Sequence, residues 1–241
     1  MKKTTQKPTA HPKTKEALQD LIRAEIKKNG PQCDLNHIDV SLISDFYRLF
    51  AKSEFNGNIS RWDVSSVENM QDMFVGSPFN KDISKWDVSG VTNMGFMFAS
   101  SSFNRDISSW SVARVESMFG MFLNSKFNGD ISGWNVSGVT DMHSMFDRSK
   151  FNGDVSKWDI SGVKNITAMF SESVFTGDVS SWNLSSVKSN QEVFFDSKIA
   201  KILGVKSPSF FQVRSHFLSL KLEAGLQKNS PGQSQVSKVR L

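Results

Sequence analysis

The chain has 241 residues, 38% of them hydrophobic and 22% charged; its mean hydropathy of −0.33, with no apolar run near about eighteen residues, excludes a protein built on membrane-spanning helices. A single cysteine, Cys33, excludes a disulfide framework and any zinc site made of several thiolates, so the fold must rest on burial. The net charge of +5 is unevenly divided, +5 over residues 1–33, −7 over 34–196 and +7 over 197–241, and the acidic middle excludes a specific nucleic-acid partner for the folded part.

Residues 1–14, MKKTTQKPTAHPKT, have no apolar period and read as a disordered basic tail. Thr14 then offers an N-cap to a helix whose Leu18, Leu21, Ile22 and Ile26 share one face, and Asn29-Gly30-Pro31 stops it. Residues 15–33 are thus expected to be a helical N-terminal cap. The basic start leads into no apolar stretch of signal-peptide length, and no lipid-attachment cysteine stands near it, so the sequence by itself predicts a cytoplasmic protein.

From residue 55 a 24-residue period governs the chain. Trp62, Trp86, Trp110, Trp134, Trp158 and Trp182 follow it, as do Phe55 to Phe175 and Phe74 to Phe194, and nine of the ten methionines fall on two of its columns. The unit reads FNGDISxWDVSxVxxMxxMFxxSx. Six full copies run from Phe55 to about Lys198, and Leu35, Ile38, Val40, Ile43, Phe46, Leu49 and Phe50 form a degenerate seventh ahead of them. Within a unit, Trp62 and Val64 alternate as inward residues of a strand over 61–64, and Val67, Met70, Met73 and Phe74 have the spacing of one or two helical turns. Ser77, Pro78 and Asn80 mark a loop. Such a unit closes its core only by stacking. The expected architecture over residues 34–198 is an α/β repeat, a leucine-rich-repeat-like right-handed solenoid of about seven rungs (short parallel strand, short helix, loop). The Asn56 to Asn152 and Asp82 to Asp178 columns are expected to bond to backbone at the turns; one FNGD per 24 residues is too sparse for a calcium ladder.

Strings such as FNGDISGWNVSGVTDMHSMF and FNKDISKWDVSGVTNMGFMF resemble the repeats of the BspA-like leucine-rich repeat surface proteins, in the subfamily first catalogued as a mycoplasma-type domain of unknown function. The opening HPKTKEALQDLIRAEIKKNGPQCDLNHIDVSLISDF resembles the lead-in of such repeats, and the likeness covers roughly residues 12–196. The resemblance implies a solenoid, a bacterial origin and a surface or adhesive role, with no known enzyme activity; it points to the cell surface where the sequence alone points to the cytoplasm.

After Phe195 the repeat stops, and Ser197-Lys198-Ile199-Ala200 stands where another FNGD is due. Phe210, Phe211, Phe217, Leu218 and Leu222 predict a C-terminal cap over 199–226, followed by a disordered tail over 227–241. Truncation or frameshift of a longer array explains the same break equally well.

No catalytic, cofactor-binding or metal-ligating set is legible. His11, His37, His143 and His216 lack metal spacing, Cys33 near His37 lacks a positioning third group, and there is no phosphate-cradling loop, G-x-S-x-G or H-E-x-x-H. The six Trp lie among inward residues and are expected to be core. The residues flanking them vary from unit to unit: Arg61, Asp63, Lys85, Asp87, Ser109, Ser111, Asn135, Lys157, Asp159 and Asn183. This strip is the expected interaction surface of a monomeric, non-enzymatic protein without cofactor or transmembrane segment, whose ligand is an unidentified host or cell-surface protein. The alternative is an intracellular scaffold or a remnant of a longer array with no adhesive role.

Overall fold

The computed structural model describes residues 8–229. Helix α1, Lys15–Asn29, starts where Thr14 Oγ1 accepts the Ala17 N–H at 3.2 Å, and ends where Gly30 takes φ 80° and donates to the Ile26 carbonyl. Leu18 and Ile22 are buried, Leu21 and Ile26 partly so, which is the face the sequence marks. The segment before α1 is more ordered than its composition suggests. Thr9 and Ala10 both donate to the His37 carbonyl, Asp39 donates to Ala10, and Pro12 is buried, so residues 9–12 line the first unit of the repeat and correct the expected tail over 1–14. Residues 1–7 lie outside the described part.

Consecutive 24-residue units are joined along one edge by a ladder of unusual make. The amides of Phe46, Arg48, Phe50 and Lys52 donate to the carbonyls of Asn69, Gln71, Met73 and Val75; Met118, Gly120, Phe122 and Asn124 do the same to Asp141, His143, Met145 and Asp147. The amides in between close β-turns within their own unit, Met73 to Met70, Val75 to Asp72 and Ser77 to Phe74. Parallel bridges at Asp45, Asn69, Asn93, Ser117, Asp141, Asn165 and Ser189 mark the ladder one residue per unit.

The strand expected over 61–64 and the helical turns expected over 67–74 are therefore not the local structure. Trp62 donates to Ile59 and Val67 to Val64, making two turns of residues 59–67. Over 70–77 Asp72 and Gly76 have φ of 58° and 63°, which a right-handed helix does not admit. Successive turns bring a residue back to the inner side at a spacing of three or four, so they bury Val67, Met70, Met73 and Phe74 as a helix would.

The core is continuous through all seven units. Leu35, Ile38, Val40, Ile43, Phe46, Leu49 and Phe50 are buried in the degenerate first one, and the six Trp are 2–4% exposed. Each indole Nε1 donates to a carbonyl of the preceding unit, Trp110 to Ile83 at 3.2 Å and Trp134 to Ile107 at 3.1 Å. Phe74, Phe98 and Phe122 stack at 5.7 and 5.8 Å between centroids, and Phe98 also faces Phe103 at 4.2 Å. The Asn column bonds as expected: Oδ1 of Asn80 accepts the Asn104 N–H, and Asn104 and Asn128 repeat the contact. Asp82, Asp106, Asp130, Asp154 and Asp178 each accept the amide of the serine two residues on.

Two helices follow the last unit, α2 over Lys198–Leu203 and α3 over Phe210–Asn229. Asp196 donates to the Lys206 carbonyl, so the connection between them stands in for the next unit's ladder strand. Phe210 packs on Trp182 and Phe194 at 6.3 and 6.1 Å, Val213 is fully buried, and Lys221 Nζ bonds Asp178 at 2.7 Å. These contacts set α3 against the last unit. α3 continues to Asn229, into the segment read as tail, and residues 230–241 lie outside the described part.

Candidate interaction surface

Two faces of the stacked units differ in what they present. The residues flanking the Trp column, Arg61, Asp63, Lys85, Asp87, Ser109, Ser111, Asn135, Lys157, Asp159 and Asn183, are all exposed and recur along one edge. Arg61, Lys85, Ser109 and Lys157 sit within the first turn of their units and the others between the two turns, rather than on a sheet. Much of their polarity is used locally: Asp63, Asp87, Asn135, Asp159 and Asn183 accept the amides of Ser65, Ser89, Ser137, Ser161 and Ser185, and Ser109 Oγ donates to the Ser84 carbonyl. Bonds from the serine hydroxyl and amide hold the Asp87 and Asp159 carboxyls below the usual range. The exposed charges of the strip are Arg61, Lys85 and Lys157 together with the carboxylates of Asp63, Asp87 and Asp159, each of which also caps a turn.

The outer side of the turn ladder presents a different chemistry. At its middle, Phe96 and Phe119 meet edge to face at 4.7 Å, and the His143 ring lies parallel to Phe119 at 5.3 Å. All three are partly exposed. Asp141 Oδ1 bonds His143 Nδ1 at 3.1 Å and sets the plane of its ring. The Phe rings lie directly on backbone: a Cβ at Gly95 would overlap the Phe119 ring, and one at Gly120 would overlap the Phe96 ring. Phe96 is itself held at φ 52°, a left-handed conformation rare for a bulky residue. Along the neighbouring column exposed Glu68 and Glu116 in the early units give way to exposed Lys164 and Lys188 in the late ones. The sequence reading missed this patch. Its signal was available: Phe96 and Phe119 fall off the repeat's Phe columns, each beside a glycine that is likewise out of register.

The surroundings of the one thiol on balance favour its neutral form. Cys33 is buried, burial pushes its pKa up, and Glu25 and Asp34 push the same way, the opposite of a nucleophilic thiolate. His37 Nε2 faces Glu25 Oε1 at 3.8 Å. Among the described residues no helix is long and apolar enough to cross a membrane.

Two overlapping family matches, over residues 20–126 and 101–203, cover more than half of the chain, both to the family described as Mycoplasma protein of unknown function, DUF285. The chain belongs to this family. No curated protein and no solved structure matches it. The overlap of two matches within one chain is what a repetitive DUF285 sequence produces, because the family signature can be laid on the array in more than one register.

Proposed function

We propose that the protein is a non-enzymatic interaction module of the BspA-like kind, a leucine-rich-repeat-like right-handed solenoid that binds a protein ligand through the outer side of its turn ladder, in an adhesin-like role at the cell surface. Phe96 and Phe119 carry this reading. Burying a Phe side chain is worth about 1.5–3 kcal/mol, and every unit has core columns that take Phe, yet these two rings stand outside with glycines beneath them. Aromatic side chains on a rigid face are the common anchors of protein recognition. The change from Glu68 and Glu116 to Lys164 and Lys188 beside them gives an extended ligand one preferred direction. Arg61, Lys85 and Lys157 of the polar strip then act as a charged flank.

The test screens the purified chain against displayed extracellular proteins, and repeats the screen with Phe96→Ser/Phe119→Ser. The reading expects a ligand whose binding falls at least about tenfold in the double variant while melting is unchanged. A ligand retained by that variant and lost by Arg61→Ala/Lys85→Ala/Lys157→Ala would move recognition to the polar strip. Protease treatment of intact cells, read with an antibody to residues 55–195, decides the location: loss of the signal supports the surface role, and full protection ends it.

A further inference from the structure

The ladder face leaves the C-terminal end of the molecule unexplained. Eight large hydrophobic side chains are exposed in the described part, and six of them, Ile202, Phe211, Leu218, Leu220, Leu222 and Leu226, belong to α2 and α3. The arrangement on α3 is two-sided. Phe210, Val213 and Phe217 face the stack, whereas Phe211, Leu218 and Leu222, at spacings of seven and four, form a second stripe on the opposite side, 75%, 49% and 66% exposed. Apolar residues on both sides of a helix call for a second apolar neighbour. A shallow depression of about 370 Å³ extends the stripe between Leu203, Val205 and Phe211.

Charge selects the neighbour. Residues 197–241 contain eight basic residues and one acidic, Glu223, against a net −7 in the repeat. Two copies meeting through α3 would bring two such basic ends together. A head-to-tail pair fares no better, because the other exposed large hydrophobics lie beside cations, Leu42 near Lys13 and Lys15, and Tyr47 under Lys15 and Arg48. A negatively charged lipid surface satisfies both requirements, taking up the apolar stripe while its headgroups meet exposed Arg214, about one turn from Phe211 and Leu218 on the same helix. α3 is not apolar enough to cross a membrane, and Lys221 bonded to Asp178 and Ser180 keeps it flat on the end of the stack, so it would lie in the plane of the interface.

We propose that the exposed stripe of α3, Phe211, Leu218 and Leu222, with the basic residues around it, is a peripheral docking site for an anionic lipid surface. The stripe and the ladder aromatics are on separate elements, so one chain holds a membrane contact at its end and a ligand face along its side.

The experiment floats the full chain with vesicles of phosphatidylcholine alone or mixed with phosphatidylglycerol, at low and high salt. Partition onto the mixed vesicles should exceed that onto neutral ones at least about tenfold, weaken with salt, and fall at least about tenfold in Phe211→Ser/Leu218→Ser/Leu222→Ser. Unchanged near-ultraviolet dichroism of the buried Trp shows that the triple variant is folded, and Leu222→Asp alone serves if it is not. Failure to bind mixed vesicles overturns the proposal, as does binding that both variants retain. A concentration-dependent dimer abolished by the same substitutions, without vesicle binding, would assign the stripe to a second copy instead.

Discussion

Trp110 illustrates how single residues tie the units together. Its indole fills the core, and its Nε1 shares the Ile83 carbonyl with the Trp86 amide, so one oxygen is bonded both within its unit and from the next. Trp110→Ala should cost roughly 3–5 kcal/mol as a core cavity. Trp110→Phe keeps most of the volume but removes one of two bonds to that oxygen, and should cost about 1 kcal/mol; denaturant melts of the two variants give both figures. Asp147 shows the opposite case. It occupies a column held elsewhere by Val75, Ala99 and Leu123, and its Oδ1 is buried without a partner. Burial raises its pKa and Glu172 adds to the rise, while Arg148 and the Ser171 hydroxyl pull against it without cancelling it. A carboxyl whose folded value exceeds its unfolded one costs stability at neutral pH, and the cost fades as pH falls through the folded value. Asp147→Val should therefore stabilise the protein by about 1 kcal/mol at pH 7, with the gain shrinking below the raised pKa. Equal gains at pH 7 and pH 4 would refute that origin.

At the scale of the element, the unit is a set of turns whose amides are completed by the next unit. The sequence reading recovered its composition more fully than its conformation. Buried columns, the Asn chain, the Asp caps and α1 with its Thr14 cap were all legible, because each depends on residue type at a fixed spacing. The ladder was not. Its partners are a full unit away, and its turns bury residues at helix-like intervals. Its left-handed positions are filled by residues such as Asp72, Ser144 and Arg148, with no consistent Gly or Asn to mark them. Residues 9–12 escaped for a related reason, since their place comes from bonds to His37 and Asp39, distant in the chain. The Asp caps carry a pH prediction of their own. The Ser108 hydroxyl and amide hold the Asp106 carboxyl low, and the Ser132 amide and hydroxyl do so for Asp130. A carboxyl held low contributes stability above its unfolded value and loses it as pH falls through the folded one. Melting temperature should drop in acid below the ordinary carboxylate range. Asp106→Asn/Asp130→Asn should flatten that drop, because Asn135 and Asn183 already cap the same kind of turn without charge. An acid profile identical in wild type and variant would contradict the assignment.

Across the whole molecule, α1 with residues 9–12 packs on the first unit and α2 with α3 on the last, and the units between them leave two kinds of surface open. Regular columns inside explain why departures from the repeat stand out outside. Phe96, Phe119 and their glycines break register on the ladder face, and α3 breaks it at the end. The polar strip, by contrast, follows the repeat closely and uses many of its side chains on its own turns. Under the proposed function, ligand meets the ladder face at these aromatics. A photo-reactive phenylalanine analogue placed at residue 119, or at exposed Gly133 on the polar edge, tests it directly in intact cells. The account predicts one discrete protein adduct from residue 119, absent from residue 133 and lost when Phe96→Ser accompanies the analogue; adducts from residue 133 alone would contradict it.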